Sequence, residues 1–399
     1  MGYPELELRR NSERQLIRGH PWVYSGAVAA APHAAPGEIV DVCDFRSRFV
    51  ARGYYNPHST IAVRVLTRDR DCGIDRGFLA RAIRRSVLVR RGNPELAATT
   101  DAVRLVHGEN DGLPGLVVDD YAGYLVVQFH TWGMELLRSE ILDVLEEVVE
   151  PRGIHERSDV GTRRADGLKD RRSGHLRGEQ PPRLIEIREG AVSLWVDVRR
   201  GQKTGFFLDQ RGNRMLLGRY AEGRSAFDCF GYTGGFAAHA AKGGARSVVS
   251  VDIARDAAAL AARNVGANSG DSRRNCQVVA DLFPMLEQLS ERGPRFDAVV
   301  LDPPALVRRS RDVKTAIGVY IKLNRNAMKL AADGGFLMTS SCSTRISQEE
   351  FFQVVRRAAA GARVQARVLA CNLHPPDHPV DPAFPEGRYL KTILLQVFR

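Results

Sequence analysis

The sequence has no long hydrophobic run, no closely spaced pair of cysteines and few lysines. No stretch of its 399 residues approaches the roughly 18 consecutive apolar residues of a membrane-spanning helix, and residues 1–18 contain no continuous apolar block. We therefore expect neither a membrane association nor a secretory signal. The six cysteines form no Cys-x-x-Cys pair, which argues against zinc and disulfide-exchange chemistry. These absences predict a cytoplasmic protein with reduced thiols and no metal.

Arginine is the residue that the chain has in excess. Lys and Arg together number 58 against 47 Asp and Glu, which gives a net charge of +11, and only 7 of the 58 are lysine. The charge is segregated, because residues 51–100 carry a net +6, residues 101–150 a net −9 and residues 301–399 a net +7. Segregated guanidinium groups favour a polyanionic partner, nucleic acid before membrane.

The chain divides into three segments of different texture. Residues 1–72 contain short alternating runs broken by Gly and Pro, which predict a small β-barrel. Residues 73–199 predict a central α+β domain. Within it, residues 159–183 are rich in Arg and Gly and predict an exposed loop or disordered insert that either touches RNA or is merely solvated. From residue 200 to 399, strands and helices alternate as in a doubly wound, Rossmann-like parallel sheet.

A glycine-rich turn follows the first strand of this predicted sheet. Residues 226–236 run from a strand into a turn that contains Gly231, Gly234 and Gly235, and an alanine-rich helix follows. The spacing departs from the Gly-x-Gly-x-x-Gly of dinucleotide sites, whose pyrophosphate lies on a helix N-terminus. It favours S-adenosylmethionine, a nucleoside cofactor without phosphates, over NAD. A turn without any ligand is the alternative.

Aspartates stand at the ends of four successive predicted strands, where open α/β sheets bind their ligands. An acidic residue about 20 positions after the glycine turn can bind a ribose diol, which suits Asp252, and Asp281 is placed to meet an adenine amino group. The segment 203–211 precedes the first strand and could close over the cofactor. The predicted cofactor-binding residues are Phe207, Asp209, Gln210, Asp228, Phe230, Gly231, Tyr232, Thr233, Gly234, Asp252, Asp281, Leu282 and Asp302.

A cysteine ends the fifth predicted strand, residues 335–341. Cys342 should face the same cleft as Asp302. C5 of cytosine is a poor nucleophile, but a thiolate that adds to C6 makes C5 able to attack a sulfonium methyl group. An acid beside N3 assists that addition. Cys342 is therefore the candidate nucleophile and Asp302 the candidate acid, and the base that removes the C5 proton stays open.

Seven motifs are spread over nearly the whole chain: His20–Gly26, Gly108–Leu116, Lys203–Arg211, the glycine turn, Asp302–Pro304, Ser341–Ser343 and Tyr389–Lys391. Together they resemble those of the bacterial 23S rRNA (cytosine-C5)-methyltransferase I family. The resemblance implies an N-terminal PUA domain that binds RNA, a central α/β domain and a C-terminal class I methyltransferase domain, with Cys342 as the nucleophile. The chain departs from the family at Ala305-Leu306, where the family often has Lys-Phe after its Asp-Pro-Pro. In addition, Pro304 stands where other RNA cytosine-C5 enzymes carry a second cysteine.

The partner implied by the resemblance is 23S rRNA or the large ribosomal subunit. Cations that follow the Asp-Pro-Pro motif, Arg308, Arg309, Arg311 and Lys314, are expected to meet RNA phosphates. Three alternatives remain open: an enzyme that methylates a purine nitrogen in rRNA, a non-catalytic RNA-binding or ribosome-assembly factor, and a small-molecule methyltransferase. The sequence leaves the oligomeric state open, a homodimer included.

Overall fold

The computed structural model describes residues 2–169, 174–307 and 312–399. They form two compact units. The first unit comprises the chain through Ile185 together with Asp197–Phe206 and Pro376–Gly387, and the second comprises Glu186–Val196, Phe207–Pro375 and Arg388–Arg399.

The first unit contains two sheets, each with its own hydrophobic core. A six-stranded sheet in the order β2-β6-β5-β4-β1-β3 includes the alternating runs that were predicted as strands within residues 1–72. A five-stranded sheet in the order β11-β10-β9-β8-β7 packs against α2 and α5. The elements are β1 Glu5–Leu8, α1 Arg14–Ile17, β2 Trp22–Tyr24, β3 Val28–Ala30, β4 Ile39–Cys43, β5 Phe49–Tyr55, β6 Ile61–Thr67, α2 Arg76–Arg91, α3 Pro94–Thr99, β7 Ala102–His107, β8 Leu116–Tyr121, β9 Tyr124–Phe129, α4 Trp132–Leu136, α5 Arg138–Val149, β10 Gly153–Glu156, α6 Thr162–Ala165 and β11 Gly174–Gly178.

Buried polar contacts join the two sheets of this unit. The Tyr54 hydroxyl donates to the Pro114 carbonyl at 2.7 Å and to Thr131 Oγ1 at 2.9 Å, and the Asn56 amide donates to the Asp166 carbonyl at 2.8 Å. The segments predicted as a β-barrel and a central α+β domain therefore lie within one compact unit.

The described part of segment 159–183, predicted as an exposed loop or disordered insert, is mostly exposed but contains regular secondary structure. This part contains α6 and the edge strand β11, which pairs with β10. Arg163 is only 3% exposed and donates to the Phe129 carbonyl and to Glu135, so it is unavailable to RNA. A guanidinium with a long apolar stem can be buried when its charge is paired, and a shortage of large apolar residues therefore does not imply exposure. Arg171 and Arg172 of this segment lie outside the described residues.

The second unit contains the alternating α/β architecture. Its seven-stranded sheet has the order β16-β15-β14-β17-β18-β20-β19, parallel except for β20, which is antiparallel to both neighbours. The hairpin β12-β13 stands apart from this sheet. The elements are β12 Ile185–Glu189, β13 Val192–Val196, α7 Arg211–Arg219, β14 Ser225–Cys229, α8 Gly235–Lys242, β15 Ser247–Asp252, α9 Arg255–Asn268, β16 Asn275–Val279, α10 Leu282–Arg292, β17 Phe296–Leu301, α11 Val313–Leu330, β18 Ala331–Ser341, α12 Gln348–Ala362, β19 Gln365–Asn372 and β20 Lys391–Phe398.

The sequence pattern explains the centre of this sheet and misses its last two strands. The central strands β14, β17 and β18 are largely buried, as parallel strands covered on both faces require, whereas the edge strand β16 is only partly buried. By contrast, β19 is mostly exposed. β20 inserts antiparallel between β18 and β19, an arrangement that local patterns do not encode. The carboxyl ends of β14 to β18 share one edge, and that edge holds the candidate site.

Candidate functional site

Strand register brings the predicted aspartates to one edge of the second unit's sheet. Cys229 of β14 lies beside Val251 of β15 and Leu301 of β17, and Asp252 lies beside Val279 of β16. The residues that follow these strands therefore emerge side by side. The carboxylates predicted from the chain pattern, Asp228, Asp252, Asp281 and Asp302, all lie along this edge.

The glycine turn after β14 has an unusual backbone. Phe230, Tyr232 and Gly234 have positive φ values of 62°, 48° and 76°. Left-handed backbone is strained for non-glycine residues and clusters at functional sites. The turn is tied down by hydrogen bonds from Gly231 N to the Val251 carbonyl at 2.9 Å and from Tyr232 N to Asp252 Oδ2 at 2.9 Å.

Two of its glycines have no room for a side chain, because a Cβ would meet atoms of the neighbouring elements. A Cβ on Gly231 would collide with Ser250 Oγ and lie 2.9 Å from Asp228 Oδ2, and a Cβ on Gly234 would lie 2.9 Å from Ala261 Cβ. The turn is thus a close-packed cradle whose backbone is available to a ligand.

Asp228 lies beneath the cradle with one oxygen engaged. Its Oδ2 accepts from Ala237 N at 3.2 Å and Ser250 Oγ at 3.3 Å. The pKa of Asp228 is raised to about 7, mainly by burial and in smaller part by the charge of neighbouring Asp252. Within the described part of the chain, neither Asp228 Oδ1 nor Asp209 Oδ1 has a hydrogen-bond partner although both are buried. A buried acceptor without a donor indicates a place for a ligand's donor group.

The next two strand ends also hold their carboxylates in fixed positions. Asp252 accepts from Tyr232 N and, through Oδ1, from Ala254 N at 2.9 Å. Asp281 caps helix α10 by accepting from Phe283 N at 3.0 Å. Leu282, predicted beside the cofactor, is buried in the core of the sheet instead of being open to solvent.

The segment before α7 reaches Asp302 directly. Gln210 Nε2 donates to Asp302 Oδ1 at 2.9 Å, and Asn213 holds the Gln210 amide by donating to Oε1 at 2.6 Å. Tyr389 donates to Asp209 Oδ2 at 2.8 Å. The pKa of Asp302 is raised to about 7, mainly by burial and in smaller part by the charges of Asp209 and Asp228. A carboxyl with this pKa can donate or accept a proton near neutral pH.

Aromatic rings stand beside both ends of the cradle. The Phe207 and Tyr232 rings meet edge-on with centroids 5.4 Å apart, and Phe230 and Phe283 meet in the same way at 5.5 Å. Thr233 is buried, and its carbonyl accepts from the Asn264 amide at 2.8 Å. These residues complete the predicted set around the turn.

Cys342 lies just beyond β18, and Tyr320 joins it to the Asp302 segment. The hydroxyl of buried Tyr320 accepts from Ser341 Oγ at 3.2 Å and is hydrogen-bonded to the backbone of Leu306. Burial raises the pKa of Tyr320 to about 12, and the negative charges of Cys342 and Asp302 add to the increase. The candidate nucleophile and the candidate acid are therefore electrostatic neighbours around one tyrosine.

A buried ionic cluster beside the site is missing from the residues predicted from sequence. Glu189 is fully buried; it accepts from Arg214 at 2.5 and 2.8 Å and lies 3.2 Å from His239 Nε2. Arg214 also donates to the Phe207 carbonyl at 2.8 Å and lowers the pKa of both Asp228 and Asp302. The alternation of β12 carried a usable signal, because Glu189 falls on the same face as two buried isoleucines.

The predicted RNA-contacting cations are only partly described. Lys314 is exposed in the first turn of α11, whereas Arg308, Arg309 and Arg311 lie outside the described residues. No helix in the described ranges is long and apolar enough to cross a membrane. The described side chains contain no group of three or more His, Cys, Asp or Glu arranged to hold a metal ion.

Comparison with known proteins matches both parts of the chain. Residues 6–68 match the PUA-like domain model, and residues 160–395 match the S-adenosylmethionine-dependent methyltransferase model. Two solved proteins share the fold: one from Streptococcus mutans (TM-score 0.83, 22% identity, 98% of this chain and 99% of that one) and one complexed with SAH (TM-score 0.84, 23% identity, the same coverage).

Curated relatives extend over nearly the full length. The ribosomal RNA large subunit methyltransferase I of Salmonella arizonae is 37% identical over 396 residues, which cover 99% of this chain and 98% of the relative. The enzyme of the same name from Escherichia coli O127:H6 is 37% identical over 393 residues, with 98% and 99% coverage.

The fold, the glycine cradle and these matches define an S-adenosylmethionine-dependent methyltransferase with a PUA-like N-terminal domain. Its cofactor is S-adenosylmethionine, as the sequence predicted. More narrowly, the chain belongs to the ribosomal RNA large subunit methyltransferase I family.

Proposed function

We propose that this protein transfers a methyl group from S-adenosylmethionine to C5 of a cytosine in 23S rRNA, the RNA of the large ribosomal subunit. The observation that carries the proposal is that Asp302 and Cys342 follow the adjacent parallel strands β17 and β18, at the sheet edge that also bears the glycine cradle. The names of the relatives support rRNA as the substrate. Such a substrate implies work in the cytoplasm on naked rRNA or on the ribosomal subunit.

The residues at the sheet edge fit the cofactor. The glycine turn would let a nucleoside and amino-acid chain approach its backbone closely. The unpartnered oxygens of Asp228 and Asp209 would accept from its ammonium group, and Asp252 would accept from the ribose diol. We assign the adenine amino group to Asp281 and the walls of the site to the remaining predicted residues. When bound, the cofactor supplies an electrophilic sulfonium methyl group.

The chain's own residues would prepare the cytosine for that methyl group. The Cys342 thiolate adds to C6, and the electron pair of the ring moves toward C5 and N3. Asp302 in its protonated form donates to N3 and offsets the negative charge that develops there, a role that suits a carboxyl with a pKa of about 7. C5 then takes the methyl group, after which loss of the C5 proton and of the thiolate restores the aromatic ring.

The proposal is tested by incubating the protein with labelled S-adenosylmethionine and unmodified 23S rRNA, or large subunits, and analysing the digested nucleosides by mass spectrometry. Label in 5-methylcytidine supports the proposal. Label in a methylated purine would favour a nitrogen methyltransferase and remove the role given to Cys342. Absence of label on both RNA substrates would favour a binding or assembly factor.

Replacing Gly231 with alanine is expected to weaken S-adenosylmethionine binding by about tenfold or more. The new Cβ would meet Ser250 Oγ, and relief of such overpacking costs about 1–3 kcal/mol. Gly212→Ala is the matched control, since a Cβ there has no atom within 4 Å. Isothermal titration with the cofactor makes the comparison. Equal affinities for the two variants would show that the cofactor binds elsewhere.

We also propose that residues 1–72 and 73–199 serve as RNA-binding and central domains ahead of the methyltransferase domain, 200–399. Within the last domain, the fourfold variant Arg308→Ala, Arg309→Ala, Arg311→Ala and Lys314→Ala should weaken rRNA binding. It should also flatten the dependence of log K on log salt by up to about 3, because each lost phosphate contact removes about 0.7–0.9. Filter binding at several salt concentrations measures the effect.

A charge-matched pair of variants controls for general electrostatics. Arg308→Ala with Arg309→Ala is compared with Arg356→Ala and Arg357→Ala, two exposed arginines of α12. If both pairs lower binding equally, the contribution is one of net charge, and Arg308 and Arg309 make no specific RNA contact.

A further inference from the structure

The first residue of β20 is a buried lysine that holds the segment carrying Cys342. Lys391 pairs with Ser341 in the antiparallel register between β18 and β20 and is only 3% exposed. Its Nζ donates to the carbonyls of Ser343 at 2.5 Å and Ile346 at 2.7 Å. The lysine therefore fixes the backbone immediately after Cys342 from the neighbouring strand.

No carboxylate in the described structure forms an ion pair with Lys391. Glu350, at the start of α12, is the acidic residue that acts on it, but this glutamate is engaged in a capping box, accepting from Ser347 N at 2.7 Å. The thiol of Cys342 is the other titratable group that acts on the ammonium, and it raises the pKa of Lys391. Tyr320 on α11 is an acid whose pKa is raised by both Cys342 and Asp302, so it adds no positive charge near the thiol.

We propose that Lys391 is a positioning residue that orients the Cys342 segment and holds the Cys342 sulfur as a thiolate. A buried ammonium bonded only to carbonyl oxygens lacks a counter-charge, and a thiolate supplies one. For its catalytic meaning the inference rests on the proposed function, in which that thiolate attacks C6.

The titration of Lys391 agrees with this geometry. Burial lowers the pKa of Lys391 to about 8, while Cys342 and Glu350 act to raise it. At pH 7 the amine is therefore still mostly protonated. Since coupling between two sites is reciprocal, a thiolate that favours the ammonium is itself favoured by it.

The first test needs neither RNA nor cofactor. The protein is treated with iodoacetamide across pH 5.5–10, and alkylation of each cysteine is followed by peptide mass spectrometry. Cys276 and Cys371 are exposed and serve as internal references. Cys342 should reach its half-maximal rate at least about one pH unit below these references, since the thiolate is the reacting form. A half-point at or above theirs would overturn the proposal.

The second test changes the lysine itself. In Lys391→Met, which keeps an unbranched side chain one atom shorter and removes its charge, Cys342 alkylation at pH 7 should fall about tenfold and its half-point should move up by about one pH unit. The two reference cysteines should be unchanged, as should Cys342 in the control Lys322→Met, whose lysine is exposed on α11. An unchanged Cys342 half-point in Lys391→Met would refute the role of the charge.

These measurements separate the inference from the proposed function. A low Cys342 half-point with no 5-methylcytidine product would support the role of Lys391 and contradict the proposed cytosine reaction. Conversely, 5-methylcytidine formation with an ordinary Cys342 half-point would support the reaction and contradict the role of Lys391. If Lys391→Met does not fold, the comparison of cysteines in the unmodified chain still decides.

Discussion

Cys342→Ala is expected to abolish methyl transfer to rRNA, lowering the rate by about 10⁴-fold or more, while S-adenosylmethionine binding stays within about twofold. Loss of a covalent nucleophile commonly costs this much, because the remaining groups cannot activate the substrate by another route. C5 of cytosine has no lone pair, so without addition at C6 it cannot attack the methyl group. The cofactor should bind normally, since its cradle follows β14 and Cys342 follows β18.

The measurements are a single-turnover assay of methyl transfer and a calorimetric titration with the cofactor. Cys371→Ala, which removes an exposed cysteine of β19, is the control and should retain full activity. Full activity in Cys342→Ala with a methylated purine as product would contradict the cysteine mechanism. Loss of both methyl transfer and cofactor binding would indicate that Cys342→Ala misfolds. The test would then be repeated with Cys342→Ser.

The parts of the site that chain order determines could be predicted from sequence. Parallel strands joined by helices must bring their carboxyl ends to one edge, so Asp252 and Asp302 could be placed together without knowing any contact. The glycine turn could also be predicted, because glycines clustered directly after a strand indicate a turn whose backbone is closely packed. These predictions depend on local periodicity and on a handedness rule that holds for nearly all such units.

The contacts that tune the site depend on pairings that are distant in sequence. Lys391 meets the Cys342 segment only because β20 runs antiparallel between β18 and β19. Tyr320 lies on α11, about 20 residues before Ser341. Neither contact produces a periodic pattern in the amino-acid sequence. Arg163 shows the opposite error, since its surroundings in sequence suggested solvent and only its pairing with Glu135 explains its burial.

The ionic cluster around Glu189 shows why polar residues are the hardest to place. Glutamate favours the surface, although the alternation of Ile185–Glu189 places its last residue on the buried face of the strand. In the structure, Arg214 and His239 pair with Glu189 and so offset the free-energy cost of burying its charge. The cost of a buried charge is met by partners on α7 and α8, and no local pattern shows that they will meet.

Glu189→Gln is expected to destabilise the second unit by about 3–5 kcal/mol. The substitution keeps the shape of the side chain but leaves Arg214 as a buried charge without its counter-ion, which is the costly half of breaking a buried pair. Urea unfolding can be followed by the fluorescence of Trp195, in a background where Trp22 and Trp132 are phenylalanine. The control Glu287→Gln removes an exposed partner of Lys322 and should leave the midpoint nearly unchanged.

The same cluster predicts how stability depends on pH. Pairing with Arg214 and His239 holds the pKa of Glu189 well below its usual range, against the opposing effect of burial. Its stabilising contribution is therefore fully present above the unfolded pKa of about 4.3 and is lost as the pH falls toward the lower folded value. The difference in unfolding free energy between the unmodified chain and Glu189→Gln should shrink as the pH falls below about 4. A difference that stays constant from pH 7 to pH 3 would show that Glu189 contributes by shape and not by charge.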